Sequence, residues 1–204
     1  MKFIIVRHGQ TSWNEKKRFQ GKTDIKLSKN GLLQAKKLAK MLAKEKIDII
    51  YTSRLKRAIK TAEKIQKFHK KAKIIKTKKL NELSWGVWEG IQLNEVKKKY
   101  PELYEKREKD RFNFKIPKGE SLKMVKKRIK KFLSAIRGKN KDAVLIVSHL
   151  NINRVIIGTL MGWKNKKISS INLDNASIVA IRADKGKAKI LRASSNIENG
   201  NLPC

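Results

Sequence analysis

The chain has 204 residues, with 52 Lys plus Arg against 17 Asp plus Glu and a formal net charge of +35. That length suits one well-buried α/β core and is short for two. The single cysteine, Cys204, excludes an internal disulfide framework and favours a reducing compartment, and no window reaches the ~20 apolar residues of a membrane-spanning helix. The charge should attract polyanions and phosphorylated metabolites, yet the lysines are scattered over every predicted helix, as solvated faces are. The N-terminus runs directly into a strand, without the ordered regions of a secretory signal. One cytoplasmic domain over residues 1–204 is expected.

Residues 2–6 read as a first strand, apolar on both faces as in a central strand covered by helices. Residues 7–27 form a long loop with turn residues at Gly9, Asn14, Gly21 and Asp24, and such loops are uncommon unless functional. Ser28 caps a helix to about residue 45, with Leu32, Ala35, Leu38, Ala39 and Leu42 on one face, where Gly31 near the start costs little. A second strand follows at 47–51, then Thr52-Ser53 as cap and a helix to about residue 69. Residues 72–76 give a third strand, and 80–90 a loop rich in Trp, Glu and Gly. Two short helices flank Pro101, residues 111–120 are irregular, and a long amphipathic helix spans 121–137. The most apolar strand, 143–147, ends in Ser148-His149 and leads to a helix over 151–161. Strands at 178–181 and 188–192 close a hairpin around Asp184-Lys185-Gly186, and a flexible tail covers 194–204. Strand, short loop and helix in alternation predict an α/β fold.

Two apolar strands thus each deliver a histidine at their carboxyl end, His8 and His149, where α/β folds place chemistry. Arg7 adjoins the first, and Arg57 lies in the first turns of the helix after the second strand, where amides also favour anions. Arginine suits a phosphate clamp because its planar fork is always charged and bidentate. Cations disfavour the charged imidazole, so His8 should stay neutral and nucleophilic. Spacing alone does not choose between Glu82 and Glu89 as a proton donor.

The stretch Arg7-His8-Gly9-Gln10-Thr11-Ser12-Trp13-Asn14 is similar to the signature opening the histidine phosphatase superfamily, the phosphoglycerate mutase-like proteins. The match continues through Gln20-Gly21-Lys22-Thr23-Asp24, Ser53-Arg54-Leu55-Lys56-Arg57-Ala58, Leu80-Asn81-Glu82, Trp88-Glu89-Gly90, Gly119-Glu120-Ser121, Val147-Ser148-His149 and Asp174-Asn175-Ala176-Ser177, in the family's order over about residues 2–183. The resemblance implies a three-layer sandwich with a mostly parallel central sheet flanked by helices. It implies that His8 is phosphorylated, that Arg7, Arg57 and His149 clamp the phosphoryl oxygens, and that Glu82 donates a proton. Asn14 resembles a further phosphate-binding amide, with Thr11, Gln20 and Gly21 also on the substrate side. The reaction it implies uses no metal and no cofactor, and no Cys or carboxylate array at ligand spacing stands against that.

Where the family has glycine after the second histidine, this chain has Leu150, a bulky side chain at the substrate entrance. The run Trp85-Gly86-Val87-Trp88-Glu89-Gly90 resembles the small phosphatase branch, and residues 91–118 are short for the mutase insertion. The expected activity is therefore hydrolysis of small phosphorylated metabolites through a phosphohistidine. The alternatives are a cofactor-dependent phosphoglycerate mutase and a catalytically dead, cationic polyanion-binding protein. Trp13, Phe19, Trp85, Trp88, Phe112 and Phe114 are candidates for the organic part of the substrate, and several of them must also be simple core packing. Lys97 to Lys99, Arg107 and Arg111 are candidates for a substrate carboxylate, against the plainer reading of solvated helix faces.

Overall fold

The computed structural model describes residues 1–137, 141–184 and 186–194. Lys185 of the expected hairpin turn, the expected tail beyond Ser194, and Cys204 lie outside these residues. The strands are β1 (Lys2–Arg7), β2 (Ile49–Thr52), β3 (Lys73–Lys76), β4 (Ala143–Ser148), β5 (Ile178–Asp184) and β6 (Lys187–Ala193). They form one sheet in the order β3-β2-β4-β1-β5-β6, parallel from β3 through β1 and antiparallel at β5 and β6. The helices are α1 (Ser12–Glu15), α2 (Lys29–Leu42), α3 (Lys56–Gln66), α4 (Leu93–Lys99), α5 (Pro101–Lys109), α6 (Leu122–Arg137), α7 (Leu150–Leu160) and α8 (Asn165–Ser170).

The strand pleat sends alternate side chains to opposite faces, and both faces are apolar. Phe3 and Ile5 of β1 join Val144 and Ile146 of β4 in a core covered by α6 and α7. Ile4 and Val6 join Leu145 and Val147 in a second core under α2 and α3. The result is the expected three-layer α/β sandwich, and it explains why these strands read as continuous apolar runs. No helix among the described residues is long and apolar enough to cross a membrane.

Local chemistry departs from the sequence reading at several places. Ser28 caps α2, its Oγ accepting from Gly31 N at 3.1 Å, but the helix ends at Leu42 and α3 ends at Gln66, both short of the expected bounds. Thr52 and Ser53 do not cap α3, whose N-cap is Leu55. The amide of Lys56 is met from outside, by Asp24 Oδ1 at 2.7 Å, while Ser53 Oγ donates to Asn81 at 3.1 Å. Both α1 and α8 escape the sequence reading, since four and six residues are too few to show a helical period.

Gly31 does more than tolerate its helix. A Cβ there would stand 1.9 Å from the Gln10 carbonyl oxygen, so α2 meets the loop after β1 backbone to backbone. Gly31→Ala is expected to destabilise the protein by about 1–3 kcal/mol, because the atom in the way is backbone and cannot swing aside. Urea unfolding checks this, and an unchanged midpoint would show that the contact is slack.

Candidate active site

The adjacent strands β2, β4 and β1 end side by side, and hydrogen bonds stitch their exits together: His8 N donates to Ser148 O at 3.0 Å, and Ser53 N to Val147 O at 3.2 Å. This brings the imidazoles of His8 and His149 to 5.0 Å between ring centres, inclined at 62°. His8 Nδ1 lies 2.6 Å from the carbonyl of Gly9. That oxygen can only accept, so Nδ1 carries the proton and Nε2 keeps its lone pair. Arg57 Nε donates to His149 Nδ1 at 3.2 Å, which assigns the proton of that ring to Nε2. Burial, reinforced by Arg57 and other nearby positive groups, holds the pKa of both histidines well below the ordinary imidazole value.

Arg57 is fully buried and Arg7 partly buried. Burial lowers the Arg57 pKa to about 10, with Glu82 and Asp24 opposing. Its Nη1 and Nη2 each donate at 2.8 Å, to the carbonyls of Thr23 and Gly21. Arg7 Nη1 donates to Leu173 O. Arg7 Nε and His149 Nε2 are buried donors with no acceptor among the described residues, and Gln20 Oε1 is a buried acceptor with no donor. Asn14 turns its Oδ1 to three donors, Thr11 N at 3.1 Å, Thr11 Oγ1 at 3.0 Å and Asn175 Nδ2 at 3.3 Å, leaving its Nδ2 for the cavity.

The structure separates the two glutamates. Glu82 is buried, its Oε1 accepting from Leu83 N at 2.7 Å and Oε2 from Asn151 N at 3.3 Å. Burial raises its pKa above the usual carboxylate value, although the Leu83 amide and Arg57 pull the other way. Glu82 lines the same cavity as His8. Glu89 does not, and is engaged instead with backbone amides of two loops.

That cavity measures about 570 Å³. Arg7, His8, Asn14, Gln20, Gly21, Arg57, Glu82 and Leu150 all line it. His149 lies beneath, fully buried against His8 and Arg57. Thr11 does not line the cavity: it is a buried cap of α1 that accepts from Asn14 N at 3.2 Å, so its expected contact with substrate is corrected to orienting Asn14. Leu150 opens α7 at the rim and rests against the α6 and α7 core.

Among the six aromatic residues named from sequence, only Phe19 and Trp85 line the cavity. Trp88 and Phe112 are core, Phe114 packs near Trp88, and Trp13 lies against Gly90. Lys97, Arg107 and Arg111 also line the cavity, whereas Lys98 and Lys99 do not. Arg107 stacks 5.2 Å from the Trp85 ring centre, and both Arg107 and Arg111 pair with Glu108. The sequence reading missed Lys17, Arg18, Leu93, Tyr104, Glu108, Asn151 and Arg154 in the cavity lining. A cation amid Ile152, Val155, Ile156 and Ile157 was the available signal for Arg154. Burial and Arg107 lower its pKa to about 9. Among the described residues no three His, Cys, Asp or Glu side chains gather as a metal site requires.

A neutral imidazole with an available lone pair, buried cationic donors around it and a carboxyl disposed to keep its proton define an enzyme of phosphate esters. Residues 3–196 match the histidine phosphatase superfamily, branch 1, and the chain belongs to that family. By class it is a phosphomonoesterase. It is 36% identical over 203 residues to phosphoserine phosphatase 1 of Hydrogenobacter thermophilus, covering 99% of this chain and 96% of that one. It is 34% identical to a 2,3-bisphosphoglycerate-dependent phosphoglycerate mutase of Buchnera aphidicola, covering 88% and 92%. The fold is shared with the alpha-ribazole phosphatase of Shigella flexneri, at a TM-score of 0.86, 24% identity and 96% coverage of each chain.

In proton NMR the ring signals of His8 and His149 are expected to stay at their neutral positions as pH falls through the ordinary imidazole value of 6.5, shifting only in more acidic solution. A titration step at or above that value in either ring would contradict the site electrostatics.

Proposed function

We propose that the chain hydrolyses small phosphomonoesters in two steps at His8, and that its substrate carries a second anionic group. The observation that carries this reading is the His8 ring, buried, held as the Nδ1–H tautomer by Gly9 O and set beside unsatisfied donors of Arg7 and His149. His8 Nε2 attacks phosphorus, the P–N bond forms and the P–O ester bond breaks. Glu82 gives its proton to the departing alkoxide. The resulting carboxylate then takes a proton from water, whose oxygen attacks phosphorus. The P–N bond breaks, phosphate leaves and both residues return to their starting state. Arg7, Arg57, His149 and Asn14 hold the phosphoryl oxygens throughout, and their donors matter most as charge develops in flight.

The crowd of Arg107, Arg111 and Arg154, with Lys97, supports a carboxylate as the second anionic group. Together with the kinship to a phosphoserine phosphatase over nearly the whole chain, this makes phosphorylated amino or hydroxy acids the leading substrate class, and phosphoserine the first to assay. The family match from residue 3 to 196 supports a single catalytic domain, and a substrate class of phosphorylated metabolites favours work in the cytoplasm. The surface charge draws such anions in, and at high enough density holds polyanions as well.

His8→Ala is expected to abolish hydrolysis of phosphoserine and p-nitrophenyl phosphate alike. Glu82→Gln should slow phosphoserine by about 10²–10⁴-fold and the nitrophenyl ester far less, because nitrophenolate leaves without a proton. Equal losses on both esters would remove Glu82 from the donor role. The signs of the pH dependence follow from the two shifts. Below the lowered His8 pKa the nucleophile is protonated and kcat/KM falls; above the raised Glu82 pKa the acid is lost and kcat/KM on phosphoserine falls again. Glu82→Gln should erase the alkaline limb. Rapid interconversion of 3- and 2-phosphoglycerate with bisphosphoglycerate primer would instead make the chain a mutase.

A further inference from the structure

Glu89 is the most heavily engaged carboxylate near the cavity, and the chemistry proposed above leaves it without a part. Its Oε1 accepts from Lys22 N, Ser84 Oγ and Trp85 N, each at 3.1 Å. Its Oε2 accepts from Thr23 N at 3.1 Å and Thr23 Oγ1 at 2.7 Å. The donors come from two segments more than sixty residues apart, and every one of them needs an acceptor. Only a carboxylate offers two oxygens and no hydrogen.

What these bonds hold in place is the cradle of Arg57. The Gly21 and Thr23 carbonyls that receive Arg57 Nη2 and Nη1 flank the amides that Glu89 grips, and Arg57 Nε in turn orients His149. On the other side, Ser84 and Trp85 follow directly on the Glu82 loop, and Trp85 lines the cavity. Gly21 is shaped to this arrangement. It has φ +52°, and a Cβ on it would fall 2.1 Å from Glu89 Oε1.

We propose that Glu89 is a positioning residue that sets the phosphate clamp, fixing the Gly21 and Thr23 carbonyls, and through them Arg57, against the Glu82 loop. It touches neither substrate nor the reacting atoms. The assignment rests on the phosphatase reading for its meaning, but its effect is on phosphate binding and is measured without turnover. Misplacing a clamp by about 1 Å costs on the order of 10²-fold in rate. Glutamine at this position would set an N–H₂ against at least two donors and push one segment away.

The test is calorimetric binding of inorganic phosphate to Glu89→Gln, Arg57→Ala and the double variant, with hydrolysis of phosphoserine and p-nitrophenyl phosphate alongside. Glu89→Gln is expected to weaken phosphate by about 10-fold and to lower kcat/KM on both esters by a common factor of about 10², unlike the ester-selective loss of a proton donor. In the Arg57→Ala background it should cost little more, since the two act through one contact. Wild-type phosphate affinity in Glu89→Gln, or losses that add fully to those of Arg57→Ala, would overturn the proposal. Should Glu89→Gln not fold, Glu89→Asp keeps an acceptor-only group too short to span both segments. Phosphate affinity several-fold weaker then supports the role, and unchanged affinity rejects it. A wild-type chain that binds phosphate yet hydrolyses no ester would sink the enzymatic reading while leaving the binding comparison decisive for Glu89.

Discussion

Burial of positive charge governs this protein. Arg57, wholly out of water, and Arg7, partly so, stand beside two buried imidazoles, and burial lowers the pKa of all four groups. Taking a cation out of water is unfavourable unless partners meet it, and here they are met mostly by carbonyls: Leu173 for Arg7, Gly21 and Thr23 for Arg57. Carbonyl dipoles satisfy hydrogen bonds without cancelling charge. A phosphoryl dianion answers the positive groups of the pocket, and those groups add to burial in keeping the imidazoles uncharged. The three strand ends, the Asn14 turn and the Glu89 bridge can be understood as the scaffold for that one arrangement.

Glu82 gains its character from the same burial, with the opposite consequence. Removal from water favours the neutral form of an acid and of an imidazole alike, so burial moves the nucleophile toward its unprotonated form and the proton donor toward its protonated one. The outer surface works in a different regime. Pairs such as Lys46 with Asp142 and Lys60 with Glu63 are largely solvated and contribute little to stability. Their excess of lysine acts at a distance, on the arrival of anions.

Much of the frame was readable in the sequence because it rests on local patterns. The apolar runs ending at His8 and His149 identified two central strands, and they are indeed neighbours in register, with Arg7 opposite Ser148. The resemblance supplied the partners of His8, and the structure gathers Arg7, Arg57, Glu82 and His149 around it. What could not be read depends on contacts distant in sequence. Nothing near Glu89 reveals that it bonds residues 22 and 23, and nothing near Asp24 that it meets the first turn of α3. Trp88 and Phe112 are among the aromatics that serve the core, and which ones would do so was not legible because a loop aromatic has the same sequence signature whether it faces substrate or core. Thr11 was assigned to substrate for its place in the motif, when a hydroxyl three residues before an asparagine also makes a cap.

The helices α4 and α5 give Leu93, Lys97, Tyr104, Arg107 and Glu108 to the cavity lining, yet they are anchored on neither of the two large cores. They pack on a separate cluster of Trp88, Val96 and Ile116, with Phe19, Trp85, Tyr100 and Tyr104 around it. Substitutions at these α4 and α5 positions consequently fall outside the packing that aligns the strands. The α4 and α5 side of the cavity thus rests on an aromatic knot of its own, joined to the larger core through Trp85, while His8 and His149 sit at the ends of strands held by the two cores.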